Sequence, residues 1–324
     1  MKKENLFIIA FLLIILLAFV YYVFYSKKEK IINNQTNYEM QMTNGVKHSI
    51  PLEEILSGGP TKDGIPSIDN PKFVNTNEAD KFLNDDSSGT GLVIGDDIRF
   101  YPYQILVWHE IVNDIVGDKP VVVTYCPLCS IGVVFDRKIN DEVFKFGVSG
   151  KLWQSNLLMY NRAESEDDES LWSQVLGEAV VGNLTGTKLS IVKSNIIKYG
   201  DWKEKYPQTK VLSQETGISR QYGLDPYGDY YINDTVSFGS TFTDERLHPK
   251  ASIIGINING KYKAYKKESL KVGENKDKFE GFDIKINKDE IGEITVFANN
   301  NEIDFITAFW FSWLAVHPNS ELKL

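Results

Sequence analysis

Apolar and polar positions divide this chain into three stretches. Leu6 to Tyr25, LFIIAFLLIILLAFVYYVFY, runs for 20 residues without a charge, Gly or Pro. As a helix rising ~1.5 Å per residue it spans ~30 Å, the depth of a bilayer core. Tyr21, Tyr22 and Tyr25 gather at one end, where an interfacial aromatic belt would sit. The run is longer than a signal-peptide core and no small-residue cleavage site follows, so it predicts an uncleaved transmembrane anchor at 6–25 behind a short cytoplasmic stub at 1–5. From Ser26 to about Ile50 the chain is polar, rich in Asn and without apolar period, which predicts a linker at 26–50. The remainder, 51–324, reads as one extracytoplasmic domain.

Within 51–324 most apolar runs are short, β-branched and bounded by turn residues, the pattern of strands. Val121 to Tyr125 reads as a buried strand, IGVVFDR as a second, and VFKFGVSG, NLLMYNR and LWSQVLG as further strands and turns. The clearest helical pattern is YQILVWHEIVNDIVG. Ile105, Val112 and Val116 recur at helical spacing with His109 on the same stripe, and Gly117 stands where a C-cap would. This predicts a helix from Tyr103 to about Val116. The acidic run Glu164–Glu169 reads as a solvated hairpin tip. The fold class expected is α+β and β-rich: short strands, a few helices and a single N-terminal transmembrane helix.

A faint internal repeat runs beneath this pattern. VIGDDIRFYPYQIL (93–106) resembles IIGININGKYKAYKKESL (253–270), pairing Tyr101 with Tyr265. WKEKYPQTKVL from Trp202 and WLAVHPNSEL from Trp313 each place Pro five residues after Trp, pairing Tyr206 with His317. The repeat-like halves fall at about 91–213 and 251–324, and only the first contains the cysteines.

Charge narrows the function classes. The first 30 residues hold five Lys and two Glu of the chain's 35 basic and 44 acidic residues, so the body is acidic by 12. Such a body repels nucleic acid and anionic lipid surfaces. No basic stripe, phosphate-binding loop or dinucleotide fingerprint is present, and no nucleic-acid partner is expected. Lys2 and Lys3 before the apolar span balance Lys27, Lys28 and Lys30 after it, so charge alone does not orient the anchor. The cysteine pair and the signal-like layout favour a single-pass protein of the cell membrane with its body outside the cytoplasm. The sequons at Asn34, Asn183 and Asn233 agree with that placement.

The only two cysteines, Cys126 and Cys129, enclose Pro127-Leu128. Proline at the second position presets a β-turn, which brings the Cα atoms within ~7 Å. Three chemistries fit that geometry: two ligands of a copper or zinc site, a redox dithiol, or a structural disulfide. A helix starting at the motif would lower one thiol's pKa, but SIGVVFDR reads as strand, which weakens the redox option. A disulfide across so short a loop adds little stability, ~2 kcal/mol or less. The metal option leads and needs further ligands. His109 is the first candidate, because it lies on a buried stripe just before the cysteine strand; His248 in DERLHPK is the second.

The motifs YPYQILVWHEIVND, PVVVTYCPLCSIGVVFDR, FGVSGKLWQSNLLMYNR, LWSQVLGEAVVG and YGLDPYGDYY occur in that order, flanked by DGIPSIDNPKF and DERLHPK. Together they resemble domain-of-unknown-function family 3179, from about Asp63 to the C-terminus. That family usually has Gly after the second Cys, where this chain has Ser130. The resemblance implies no activity. It does imply that His109, Glu110, Cys126, Cys129, Asp136, Arg137, Ser149, Asn156, Trp172 and Ser173 lie in family-typical motifs. By residue chemistry alone, Glu110 reads as an exposed helix residue and Asp136-Arg137 as a structural pair or turn. Ser149 lacks the strand–turn–helix setting of a nucleophile. Trp153, Trp172 and Trp202 read as core.

Overall fold

The computed structural model describes residues 38–324, of which 12% are helical and 43% strand. The expected anchor at 6–25 lies outside the described residues. Among the described residues no helix is long and apolar enough to cross a membrane.

Two sheets share one plan. In the first, the hairpin Ser88–Ile94 and Asp97–Pro102 takes Ser194–Lys198 antiparallel on one side and Lys210–Leu212 parallel on the other. In the second, the hairpin Ser252–Ile258 and Lys261–Lys266 takes Ile306–Phe309 antiparallel and Glu321–Lys323 parallel. A short helix precedes the parallel strand in each, Tyr199–Lys205 and Trp310–Val316. Each helix drives one tryptophan onto a strand glycine. A Cβ on Gly91 would stand 2.5 Å from the Trp202 ring, and one on Gly255 would stand 2.4 Å from that of Trp313. Each indole N–H then donates seven residues on, Trp202 to Thr209 Oγ1 at 2.9 Å and Trp313 to Ser320 Oγ at 2.8 Å. The copies differ in what is inserted between their hairpin and their outer antiparallel strand. The second carries a four-stranded sheet, Gly273–Phe279, Phe282–Lys288, Ile294–Ala298 and Asn301–Ile303. The first carries the cysteine segment.

That segment is built on the sheet Ile111–Val116, Lys119–Cys126 and Ile131–Asp136, and on the hairpin Phe146–Trp153 and Asn156–Asn161. Here the expected helix is corrected. Only Tyr103–Leu106 is helical, and Ile111–Val116 is a strand. Ile111, Val112, Ile115 and Val116 are β-branched and favour the pleat. Gly117 is no cap: Gly117 and Asp118, at φ 52° and 63°, form the left-handed two-residue turn of a hairpin.

The linker boundary also moves. Gln41–Thr43 and Val46–His48 pair with each other, and His48 pairs with Val181 of the seven-stranded sheet. Tyr38 packs edge-on against Trp153 and donates to Val316 O at 3.1 Å. The chain therefore joins the body by Tyr38 and not near Ile50. The hairpin is mostly exposed and so carries no apolar period in the sequence.

Candidate functional site

Cys126 ends a strand and Cys129 follows a proline bend. Cys129 N donates to Cys126 O at 3.2 Å, closing the β-turn that the sequence predicts. Both side chains are buried, at 2% and 0% exposure, and both thiols are free. They turn toward a single acceptor: Cys126 Sγ lies 3.8 Å and Cys129 Sγ 3.2 Å from Ser155 O.

Ser155 belongs to the tip of the hairpin between Trp153 and Asn156. Gln154 and Ser155 take φ of 53° and 61°, a two-residue turn that glycine or asparagine would fill more easily. Of the described non-Gly residues at positive φ, all but six are Asn or Asp. Five of those six are Glu110, Ser130, Gln154, Ser155 and Phe238, which line or adjoin the cysteine turn. Ser130 stands at φ 50° where the family's usual Gly would carry no Cβ cost. Such conformations persist only where surrounding contacts impose them, and they gather at functional sites.

Glu110 turns out to be the carboxyl beside the pair. Its carbonyl accepts from Tyr125 N at 2.8 Å, which sets the residue next to Cys126. It is buried, and among the described residues no hydrogen-bond donor reaches its carboxyl. Burial holds that carboxyl well above the usual carboxylate range, and the facing Cys126 adds to the effect. Burial likewise raises the Cys126 thiol, reinforced by Cys129. Both shifts favour the uncharged forms of Glu110 and Cys126 while the site is closed.

A strap covers it. Residues 213–251 contain a single helical turn, Gly228–Tyr231, and no strand. Tyr230 Oη donates to Leu128 O at 3.1 Å, inside the cysteine turn. Lys250 sits 3.6 Å over the Tyr230 ring and donates to its carbonyl and to Asn233 Oδ1. Ser155 Oγ donates to Ser237 O, and Thr241 N to Gln154 Oε1 at 2.7 Å, so the strap grips the same hairpin tip that receives the thiols. From the other repeat, Phe309 N donates to Cys129 O at 2.9 Å.

The histidine ligands are not brought to the cysteines. With the helix replaced by a hairpin, His109 points elsewhere: Nδ1 bonds Pro66 O at 2.7 Å and Nε2 bonds Tyr222 Oη at 2.6 Å. Burial lowers its pKa, which keeps the ring neutral. His248 Nε2 is 2.6 Å from Asp234, and its Nδ1 accepts from Lys250 N. Among the described residues no group of three or more His, Cys, Asp or Glu side chains is placed to hold a metal.

The other motif residues build the frame. Asn156 bonds Gln174 Oε1 and Val175 N, while Gln174 Nε2 donates to Thr124 Oγ1 and Ile131 O, tying the hairpin to the cysteine sheet. Trp172 Nε1 donates to Asn161 Oδ1, and Ser173 Oγ accepts from Leu176 N. Ser149 fills a bulge, donating to Leu158 O. Asp136 pairs with Lys119, and Arg137 donates to the carbonyls of Val121, Phe144 and Asp114, so the two are not partners of each other. Sequence reasoning missed Gln154, Ser155, Gln174 and Tyr230 as site residues. The dipeptide Gln154-Ser155 between two strand patterns was the available signal for the hairpin tip.

The family model described as Protein of unknown function (DUF3179) matches residues 62–301, and the chain belongs to that family. No curated protein and no solved structure matches it.

Proposed function

We propose that this DUF3179 protein is a thiol–disulfide redox protein whose working pair is Cys126 and Cys129, guarded by the 213–251 strap. The observation that carries the reading is the convergence of both sulfurs on Ser155 O across a closed β-turn. Two thiols so placed need only small side-chain rotations to bond. Oxidation balances as ordinary exchange. With the strap lifted and water admitted, Glu110 ionises and takes the proton of Cys126, whose thiolate attacks one sulfur of a partner disulfide; Glu110 then returns that proton to the departing sulfur, releasing a thiol. Cys129 then attacks the mixed disulfide, closing the Cys126–Cys129 bond and releasing the second thiol. Cys126, a buried thiol of raised pKa, reacts slowly while covered, so the strap must lift first, which would confine exchange to partners that open it.

The test uses the full chain. Thiols are counted before and after a stoichiometric excess of oxidised glutathione, with bound metal quantified alongside. The expected result is two thiols lost per chain, one internal disulfide formed, and no such bond in Cys126→Ser. The same convergence favours a second reading, a copper or zinc ion held by the two thiolates without histidine. Stoichiometric metal lost in Cys126→Ser, with thiols inert to glutathione, would replace the first reading by the second.

The proposal includes placement. An anchor at 6–25 would hold the body outside the cytoplasm, where disulfides persist. Protease added to intact cells should remove the body; full protection would place it inside and reverse the expected redox state.

A further inference from the structure

The second repeat carries a concavity that the cysteine chemistry does not use. A groove of about 390 Å³ opens between the Trp313 helix, the 302–306 segment and the 188–191 segment. That volume lies in the range of small-molecule sites, roughly 300–1,000 Å³. Its walls are largely apolar, with Leu176, Leu189, Ile303 and Phe305 among them.

His317 and Asp304 are among the titratable groups that line it. His317 lines the groove at 5% exposure and stacks on Tyr262 at 3.7 Å between ring centroids. Burial holds it neutral, its pKa lowered to about 3. Asp304 stands at the mouth, open to solvent on one side. Among the described residues it makes no ion pair. The other charges on the groove are already matched, Lys188 by Glu178 at 3.8 Å and Glu302 by Lys193 at 2.7 Å. The carboxyl of Asp304 is pushed up to about 6, first by lost hydration and then by Glu302.

We propose that this groove binds a small organic cation, an amine with an apolar body, whose ammonium pairs with Asp304. The unmatched negative charge selects the head group, and the apolar walls select the body. A bare metal ion would leave those walls unused.

The experiment is calorimetric titration of the full chain with phenethylammonium, 2-phenylethanol and 3-phenylpropionate at neutral pH. Phenethylammonium is expected to bind at least about tenfold more tightly than the alcohol, and the carboxylate not at all. Asp304→Asn, a change at an exposed position, should erase the preference while the alcohol binds as before. Equal affinities, a preference that survives Asp304→Asn, or no heat from any of the three would each overturn the assignment.

Discussion

Replacing Trp202 by alanine is expected to lower the unfolding free energy by about 3–5 kcal/mol, the cost of emptying a fully buried indole site. Trp202 is 1% exposed. It packs on the bare backbone of Gly91 and against Phe100 and Tyr206. Its loss also strands Thr209 Oγ1, which keeps only a 3.4 Å contact to Ile98 O. The reciprocal change, Gly91→Ala, puts a methyl 2.5 Å from the ring and should cost about 1–3 kcal/mol by overpacking. Urea unfolding of the two variants and of their combination measures both. The combination should cost less than the sum, because the methyl no longer meets an indole. A loss under about 1 kcal/mol for Trp202→Ala would mean that the tryptophan does not clamp the repeat.

That clamp is partly legible in the sequence. Pairing Trp202 with Trp313 and Tyr101 with Tyr265 by sequence finds the positions that the two sheets superpose in topology. Strand runs such as Val121–Tyr125 and Ile131–Asp136 were legible because β-branched residues between turn residues have few other uses. The segment after Tyr103 was not. Ile105, Val112 and Val116 fall seven and four residues apart by coincidence, and Gly117 signals a helix cap and a hairpin turn equally well. Telling them apart requires knowing that Lys119–Cys126 pairs back on Ile111–Val116, a tertiary fact. The error propagated into the site. On a helix, Glu110 would face away from His109 into solvent; at φ 57° after a broken helix it faces Cys126 instead. The strap was illegible for another reason. Its hold on the cysteine turn rests on single contacts from Tyr230, Ser237 and Thr241, which follow no period.

Glu110→Gln is expected to stabilise the folded chain at neutral and alkaline pH, by on the order of 1–3 kcal/mol, and to leave it unchanged at pH 4. The sign follows from proton counts. The folded carboxyl titrates well above the 4.5 of an ordinary glutamate, while the unfolded one titrates near it. Above that value the unfolded chain releases a proton that the folded chain retains, so stability falls as pH rises until the folded carboxyl also ionises. Below it both states are protonated and the group contributes no slope. Glutamine is uncharged throughout, so the difference between parent and variant isolates this residue from the opposite, acid-side slope of buried His109 and His317. Urea unfolding at half-unit steps from pH 4 to 9 measures it, with a flat difference excluding a buried, proton-holding Glu110. The same substitution separates structure from chemistry. A group that only packs leaves thiol exchange intact or faster as stability rises. A proton acceptor for Cys126 leaves a variant that is more stable yet exchanges with oxidised glutathione about 100-fold more slowly.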